Sequence, residues 1–336
     1  MKIAVIGLGD IAQKAYLPVL TQLSKLSSTC KKDIELIFCT RNADTLKKLT
    51  EQYRIKTYFQ DYRDLNKSNI DGVMIHSSTS SHAKIARYFL EQGIATFVDK
   101  PLADSAKDCV MLHALAEKHN APLYVGFNRR FIPLFNQYLV GVQKDAAENI
   151  DKANQGLTSL RWEKNRHNLP ADIRTFVFDD FIHCIDSVNI FGKADIDGID
   201  ITTQFLPSKN AGATAIEKQL SRIDIKWQQN GVILEASMNR NFGITQEIIS
   251  ANYENKSYQF PYFFSGTRWE NKETTLLHLA DWTPMLTSKG FDGMIDDWLN
   301  VVRSGVITTE VVKRNLNSHL LAEAICQEVI ARSSLM

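Results

Sequence analysis

Two short runs carry side chains able to move a proton. Asp99-Lys100-Pro101 closes an apolar stretch, Ile94 to Val98, that reads as a buried strand. Pro101 holds Lys100 in extended backbone conformations and admits a cis bond, so the amine is aimed. The second run, Asp179-Asp180-Phe181-Ile182-His183-Cys184-Ile185-Asp186, reads as a helix. On it Asp179, His183 and Asp186 stand at i, i+4 and i+7, on one face. A carboxylate one turn from an imidazole fixes its tautomer and tunes it near neutrality, as a general acid/base for alcohol oxidation requires. Each run alone also has an ordinary explanation: a turn with an exposed lysine, and a surface helix with a weak His–Asp pair.

A third run binds rather than reacts. Gly7-Leu8-Gly9-Asp10-Ile11-Ala12 fits G-x-G-x-x-G/A between a first strand, Lys2 to Ile6, and a helix from Ala12 to Leu26. One glycine makes the tight turn, the next lets backbone approach a pyrophosphate, and the small last residue lets helix pack on strand. The helix N-terminus then points its amides at the phosphates. Thr40 and Arg41, after the second strand, offer a hydroxyl and a guanidinium suited to a 2′-phosphate, so NADP(H) is preferred and NAD(H) is the alternative. In that alternative Arg41 is a solvated loop charge and Asp44 reaches the ribose.

The elements that must position these groups alternate at first. Strands are predicted at Ile34 to Cys39, Val73 to Ile75, Ile94 to Val98 and Leu123 to Phe127, and helices at Ala43 to Tyr53, after an N-cap at Ser80 or Ser81 up to Gly93, and at Ala106 to His119. This rhythm predicts an α/β fold with a parallel sheet covered on both faces, a dinucleotide-binding Rossmann domain over residues 1–125. Beyond it, longer alternating strands follow: Leu157 to Trp162, Ile199 to Phe205, Arg222 to Trp227, Val232 to Met238 and Glu247 to Asn252. They predict an antiparallel or mixed sheet in a second, α+β domain over residues 126–336. The helical segment Gly293 to Ile330 is expected to pack back near the domain junction.

With 336 residues, two domains have enough chain for two cores. Lys and Arg number 39 and Asp and Glu 38, so there is no global field to attract nucleic acid or an anionic membrane. Five scattered cysteines (Cys30, Cys39, Cys109, Cys184 and Cys326) form no CxxC pair; reduced thiols in a cytoplasmic protein are expected, and no metal site is read. No export signal or membrane span is expected.

Taken together, GLGDIA, HSSTSSH at His76 to His82, DKPLA at Asp99 to Ala103, GFNRRF at Gly126 to Phe131 and the D-x-x-x-H-x-x-D helix resemble the Gfo/Idh/MocA oxidoreductase family, most closely its MviM-like branch. The resemblance covers essentially the whole chain. It implies a Rossmann domain followed by a domain with a large open, mainly antiparallel sheet, and hydride transfer to or from a sugar, cyclitol or related small molecule. Homodimers or homotetramers through that sheet are implied as well. By this matching Lys100 is the catalytic lysine, Asp179 the helix carboxylate and His183 the acid/base; Ser77, Ser78 and His82 line the cofactor and Asn128 lies near the nicotinamide. Three positions depart from the family: Asp99 stands where glutamate is usual, Phe181 replaces a glycine, and Phe176-Val177-Phe178 replace a glycine-rich turn. Substrate-contacting roles for Lys164, Asn165 and Arg166 compete with a plain polar strand end. Arg129 and Arg130 either touch ligand or pair with carboxylates. Two other classes remain readable from the sequence, a non-catalytic dinucleotide-binding regulator and a glycosidase with bound NAD.

Overall fold

The structure is a computed structural model that describes residues 1–30, 34–139, 142, 156–207 and 218–333. They divide into two units, one of residues 1–128 and 290–312, the other of residues 129–289 and 313–336. In the first unit, six strands lie in the order β3-β2-β1-β4-β5-β6. They are β1 (Lys2–Ile6), β2 (Glu35–Cys39), β3 (Thr57–Phe59), β4 (Gly72–Ile75), β5 (Ala95–Asp99) and β6 (Leu123–Gly126), and every pairing is parallel. Every residue of β4, β5 and β6 is buried, as expected of a sheet covered on both faces. The half-exposed β3 had not been foreseen, because three residues give no periodic signal.

The helices of this unit are α1 (Leu17–Cys30), entered through a π-helical turn over Ala12–Tyr16, then α2 (Ala43–Tyr53), α3 (Thr79–Leu90) and α4 (Ala106–Lys118). Asn42 caps α2 and Ser105 caps α4, each accepting a backbone amide on its side chain. The N-cap of α3 is Ser78, not Ser80 or Ser81, and makes no side-chain capping bond.

The second unit contains α5 (Pro133–Tyr138) and then β7 (Leu157–His167). A π-helical turn over Thr175–Phe181 runs into α6 (Ile182–Val188). The remaining strands are β8 (Asp200–Pro207), β9 (Lys218–Gln229), β10 (Val232–Phe242), β11 (Gln246–Tyr253), β12 (Lys256–Phe260), β13 (Ser265–Glu270) and β14 (Glu273–His278), followed by α7 (Met285–Ser288). Eight strands line up as β14-β13-β12-β11-β7-β10-β9-β8, antiparallel throughout except for β7 beside β10. Burial alternates along β10, so one face of the sheet, with Leu160, Trp162, Leu234, Ala236 and Met238, is the core face. Lys164, Asn165 and Arg166 lie inside β7, not beyond it as expected. No helix among the described residues is long and apolar enough to cross a membrane. Cys39, Cys109, Cys184 and Cys326 are buried free thiols, while the Cys30 side chain lies outside what is described.

The C-terminal helices are α8 (Phe291–Ser304) and α9 (Thr309–Ser333). Through α8 the late segment returns to the parallel sheet. Trp298 is fully buried there, with ring centroids 5.8 Å from Phe97 and 5.7 Å from Tyr124, and Tyr124 donates a 2.8 Å hydrogen bond to Asp297. A Cβ on Gly72 would meet the Trp298 ring at 3.2 Å, so the bare glycine makes room for the indole. Trp298→Ala is expected to cost about 3–5 kcal/mol in denaturant unfolding. A loss below about 1 kcal/mol would show that α8 is no part of this core.

Candidate functional site

The strand order reverses between β1 and β4, and the carboxyl ends of the strands around that point form a cleft of about 660 Å³. That volume is typical of a small-molecule site, and the position is where open parallel sheets hold ligands. Gly7, Gly9, Asp10 and Ile11 line it, with Thr40 and Arg41 after β2 and Ser77 and Ser78 after β4. Gly7 has a φ of +86°, and a Cβ there would lie 2.5 Å from the Ser77 nitrogen, so only glycine fits. At Gly9 a Cβ would meet nothing within 4 Å, which leaves open space where a ligand backbone-contact needs it. Ala12 is buried behind the turn, as close packing of helix on strand requires. These residues fit a dinucleotide: a turn without side chains, a helix N-terminus behind it, and a guanidinium at the end of β2.

Several expected site residues stand outside the cleft lining. His82 is buried; its Nδ1 lies 2.9 Å from the Pro101 carbonyl and its Nε2 2.9 Å from the Ser77 carbonyl. The imidazole therefore ties two loops together, and His82 is not among the residues that line the cleft. Asp99 is buried too. Its Oδ1 accepts from the Tyr16 hydroxyl at 2.9 Å and from the Lys100 amide at 2.8 Å, and burial raises its carboxyl above the usual range against the pull of Lys100 and Tyr16. The shorter aspartate thus reaches a tyrosine on the first helix. Lys100 is half-buried and the Lys100–Pro101 bond is cis. Asn128 is buried at the end of the first unit's chain segment.

Among the lining residues that were not foreseen, a histidine stands out. His76 is buried at the end of β4, its ring 3.9 Å from that of Tyr16, and neither of its ring nitrogens has a hydrogen-bond partner. Burial, with the neighbouring His82, lowers it to about 3, so it is a neutral imidazole at physiological pH. Its signal in the sequence was a histidine where a buried strand ends, a place where apolar residues are usual.

In the second unit the Asp179–Asp186 segment differs from the expected α-helix. The π-helical turn over Thr175–Phe181 changes the residue spacing before α6, so Asp179 is exposed while Asp180 is buried. His183 is buried, and the Asp186 carboxylate is taken up by other partners. Asp186 instead accepts from Arg130 Nε at 2.9 Å and Nη2 at 2.5 Å and from Ser318 at 2.8 Å, with Arg314 donating to its backbone carbonyl. Arg130 also donates to Asn315 at 2.8 Å. Arg130 therefore pairs with a carboxylate, as one of the two sequence readings had it, and so does Arg129, which donates to Glu247 at 2.5 Å.

Asp180 gathers Lys164 at 2.6 Å, Arg166 through two 2.9 Å bonds and Arg240 at 3.2 Å. Burial opposes ionisation, but these cations outweigh it and hold the Asp180 carboxyl well below the usual carboxylate range. Glu247 behaves alike: burial raises it, while Arg129, Lys164 and the Trp162 indole bring it to about 2. Among the described residues no group of His, Cys, Asp and Glu is arranged to hold a metal ion.

The folded value of Glu247 lies below its unfolded value of about 4.3, so its stabilisation is present above that pH and is lost as pH falls toward 2. In urea unfolding, the wild type should exceed Glu247→Gln by about 3 kcal/mol near neutrality. That difference should shrink to nothing as the pH drops from about 4.3 to 2. A difference constant down to the lowest pH would exclude a stabilising charged Glu247.

Comparison with known proteins accords with this geometry. Residues 1–127 match the family described as an oxidoreductase family with an NAD-binding Rossmann fold, GFO_IDH_MocA. The crystal structure of a Gfo/Idh/MocA family oxidoreductase from Vibrio cholerae is 49% identical, with a TM-score of 0.89 over 99% of each chain. A dehydrogenase (MviM) from Clostridium difficile is 26% identical, with a TM-score of 0.78 over 99% of each chain. The inositol 2-dehydrogenase/D-chiro-inositol 3-dehydrogenase of Lactiplantibacillus plantarum is 28% identical over 139 residues, 40% of this chain and 38% of its own.

Proposed function

The chain belongs to the Gfo/Idh/MocA family of oxidoreductases, and from that premise we propose that it transfers a hydride between NADP(H) and a sugar, cyclitol or related polyhydroxylated molecule. The observation that carries this reading is the cleft at the strand-order reversal, floored by Gly7 and Gly9 and walled by Thr40 and Arg41. The likeness to an inositol dehydrogenase over 139 residues supports a polyhydroxylated substrate.

A bound nicotinamide supplies the hydride acceptor or donor; the rest falls to this chain. The amides at the start of the first helix hold the pyrophosphate, Arg41 and Thr40 hold the 2′-phosphate, and Ser77 and Ser78 border the same space. Lys100, its amide fixed by Asp99, donates a hydrogen bond from Nζ to the reacting oxygen as charge develops there. His183 takes the hydroxyl proton on an imidazole nitrogen during oxidation and returns it during reduction. Asp179 balances the charge that His183 acquires. His82 holds together the loops that carry Ser77 and Pro101, and Asn128 lies near the nicotinamide in this proposal.

Two or four copies assemble through the large sheet in this proposal, on which Trp269 of β13 and Leu276 of β14 are exposed apolar residues. The buried free thiols accord with work in a reducing compartment, the cytoplasm. Sedimentation of the purified chain tests the assembly, and a monomer at micromolar concentration would remove it.

Two experiments test the reaction. Dissociation constants should favour NADPH over NADH, and Arg41→Ala should weaken NADPH about ten- to a hundredfold while leaving NADH nearly unchanged. A clear preference of the wild type for NADH would overturn the cofactor choice. Lys100→Ala and His183→Ala should each bind cofactor almost normally and lose about 10²- to 10⁴-fold in turnover. Unchanged turnover in either variant would remove that residue from the mechanism.

A further inference from the structure

Three segments of the first unit meet at one end of its cleft. The Thr40 amide donates to the Phe59 carbonyl at 3.2 Å, so the chain leaving β2 stays beside the chain leaving β3, and Thr40, Arg41, Gln60 and Tyr62 all line the same space. Helix α3 packs on the segment that follows β3. There the Tyr88 ring lies 5.2 Å from that of Tyr62, and the Tyr88 hydroxyl donates to the Arg63 carbonyl at 3.3 Å. Lys84 precedes Tyr88 by four residues, one turn of the same helix, and so shares its face. With Ser81 and Ile85 it lines the cleft as well.

The charges at this end are uncommitted. Arg41 is exposed and makes no hydrogen bond or ion pair among the described residues. Lys84 is exposed and makes none either; Asp61, whose carboxylate feels its charge, is taken up by Arg63, which reaches both oxygens from Nε at 3.0 and 3.1 Å. Among the described residues that line the cleft Asp10 alone is acidic, and Lys14 holds it at 2.8 Å. Asp44, which could have accepted from a ribose, is not a lining residue.

A ribose diol calls for a carboxylate acceptor, and this end of the cleft supplies donors instead: a hydroxyl, an amide, a guanidinium and an ammonium. A phosphate monoester carries close to two negative charges near neutrality and three acceptor oxygens. The planar fork of Arg41 can take two of those oxygens, which leaves one oxygen and about one charge for a point-like cation such as Lys84. Two cations of like sign beside one space are at ease together only with an anion between them.

We propose that Lys84 is a second determinant of cofactor choice, its ammonium holding the 2′-phosphate of NADP(H) together with the Arg41 guanidinium. The assignment rests on the NADP(H) reading above and adds to it a residue from a helix far along the chain from β2.

Dissociation constants of the full-length chain for NADPH, NADH, 2′-phospho-AMP and AMP, measured by calorimetry, test it. Lys84→Gln should weaken NADPH and 2′-phospho-AMP about tenfold and shift NADH and AMP by less than about twofold. Lys84→Arg, which keeps the charge, should restore most of the loss. Lys47→Gln removes an exposed charge from α2 outside the cleft lining and should alter none of the four. If the wild type prefers NADPH and Lys84→Gln leaves that preference intact, Lys84 loses its role while the NADP(H) reading stands. The same holds if Lys84→Gln weakens NADH as much as NADPH, or if Lys47→Gln has an equal effect. A wild type that prefers NADH removes the NADP(H) reading, and the role of Lys84 with it.

Discussion

A missing carbon atom organises the first unit. At Gly7 the turn after β1 runs so close to the start of the loop after β4 that a Cβ would sit 2.5 Å from the Ser77 nitrogen. The close approach brings the ends of two adjacent parallel strands under one cleft, and the first helix begins immediately behind it. His82 then draws the Ser77 carbonyl toward Pro101, and Asp99 fixes the Lys100 amide and the Tyr16 hydroxyl. A backbone contact, a bridging imidazole and a buried carboxyl together set where the glycine turn and Lys100 lie within one unit.

The second unit is organised by charge. Its core face contains two sets of buried ions: Asp186 with Arg130 and Arg314, and Asp180 and Glu247 with Lys164, Arg166, Arg240 and Arg129. Such networks are weak sources of net stability because desolvation offsets their attraction, yet removal of one member leaves its partners buried and uncompensated. Geometry here is therefore tightly specified around the residues next to His183. Ser318 and Asn315 add hydrogen bonds to the first set.

The alternation of strand and helix in the first third was legible because buried strands and amphipathic helices leave opposite periodicities. The glycine turn, Thr40 and Arg41 were legible from the strand ends they follow, whereas Ser77 and Ser78 came from the family resemblance alone. What escaped had no local signature. The strands β12, β13 and β14 mix polar and apolar residues toward a sheet edge, and β3 is three residues long. Spacing arguments assumed an α-helix through Asp179, where a π-helical turn instead turns Asp180 inward. The ion cluster joins residues from four separate stretches of chain. Lys164 and Arg166 were read as substrate contacts or a polar strand end; their parity with Leu160 and Trp162 marks the core face, but nothing local names Asp180, Arg240 or Glu247 as their partners.

The return of residues 290–312 to the first unit bears on how the chain is made. A ribosome releases the parallel sheet's six strands long before it reaches Trp298, so Phe97 and Tyr124 must wait, uncovered, while the whole of the eight-stranded sheet is translated. During that interval the nascent nucleotide-binding half exposes an aromatic seam to its surroundings, the kind of surface that chaperones hold and that drives aggregation. This half is finished only after the whole eight-stranded sheet has been made.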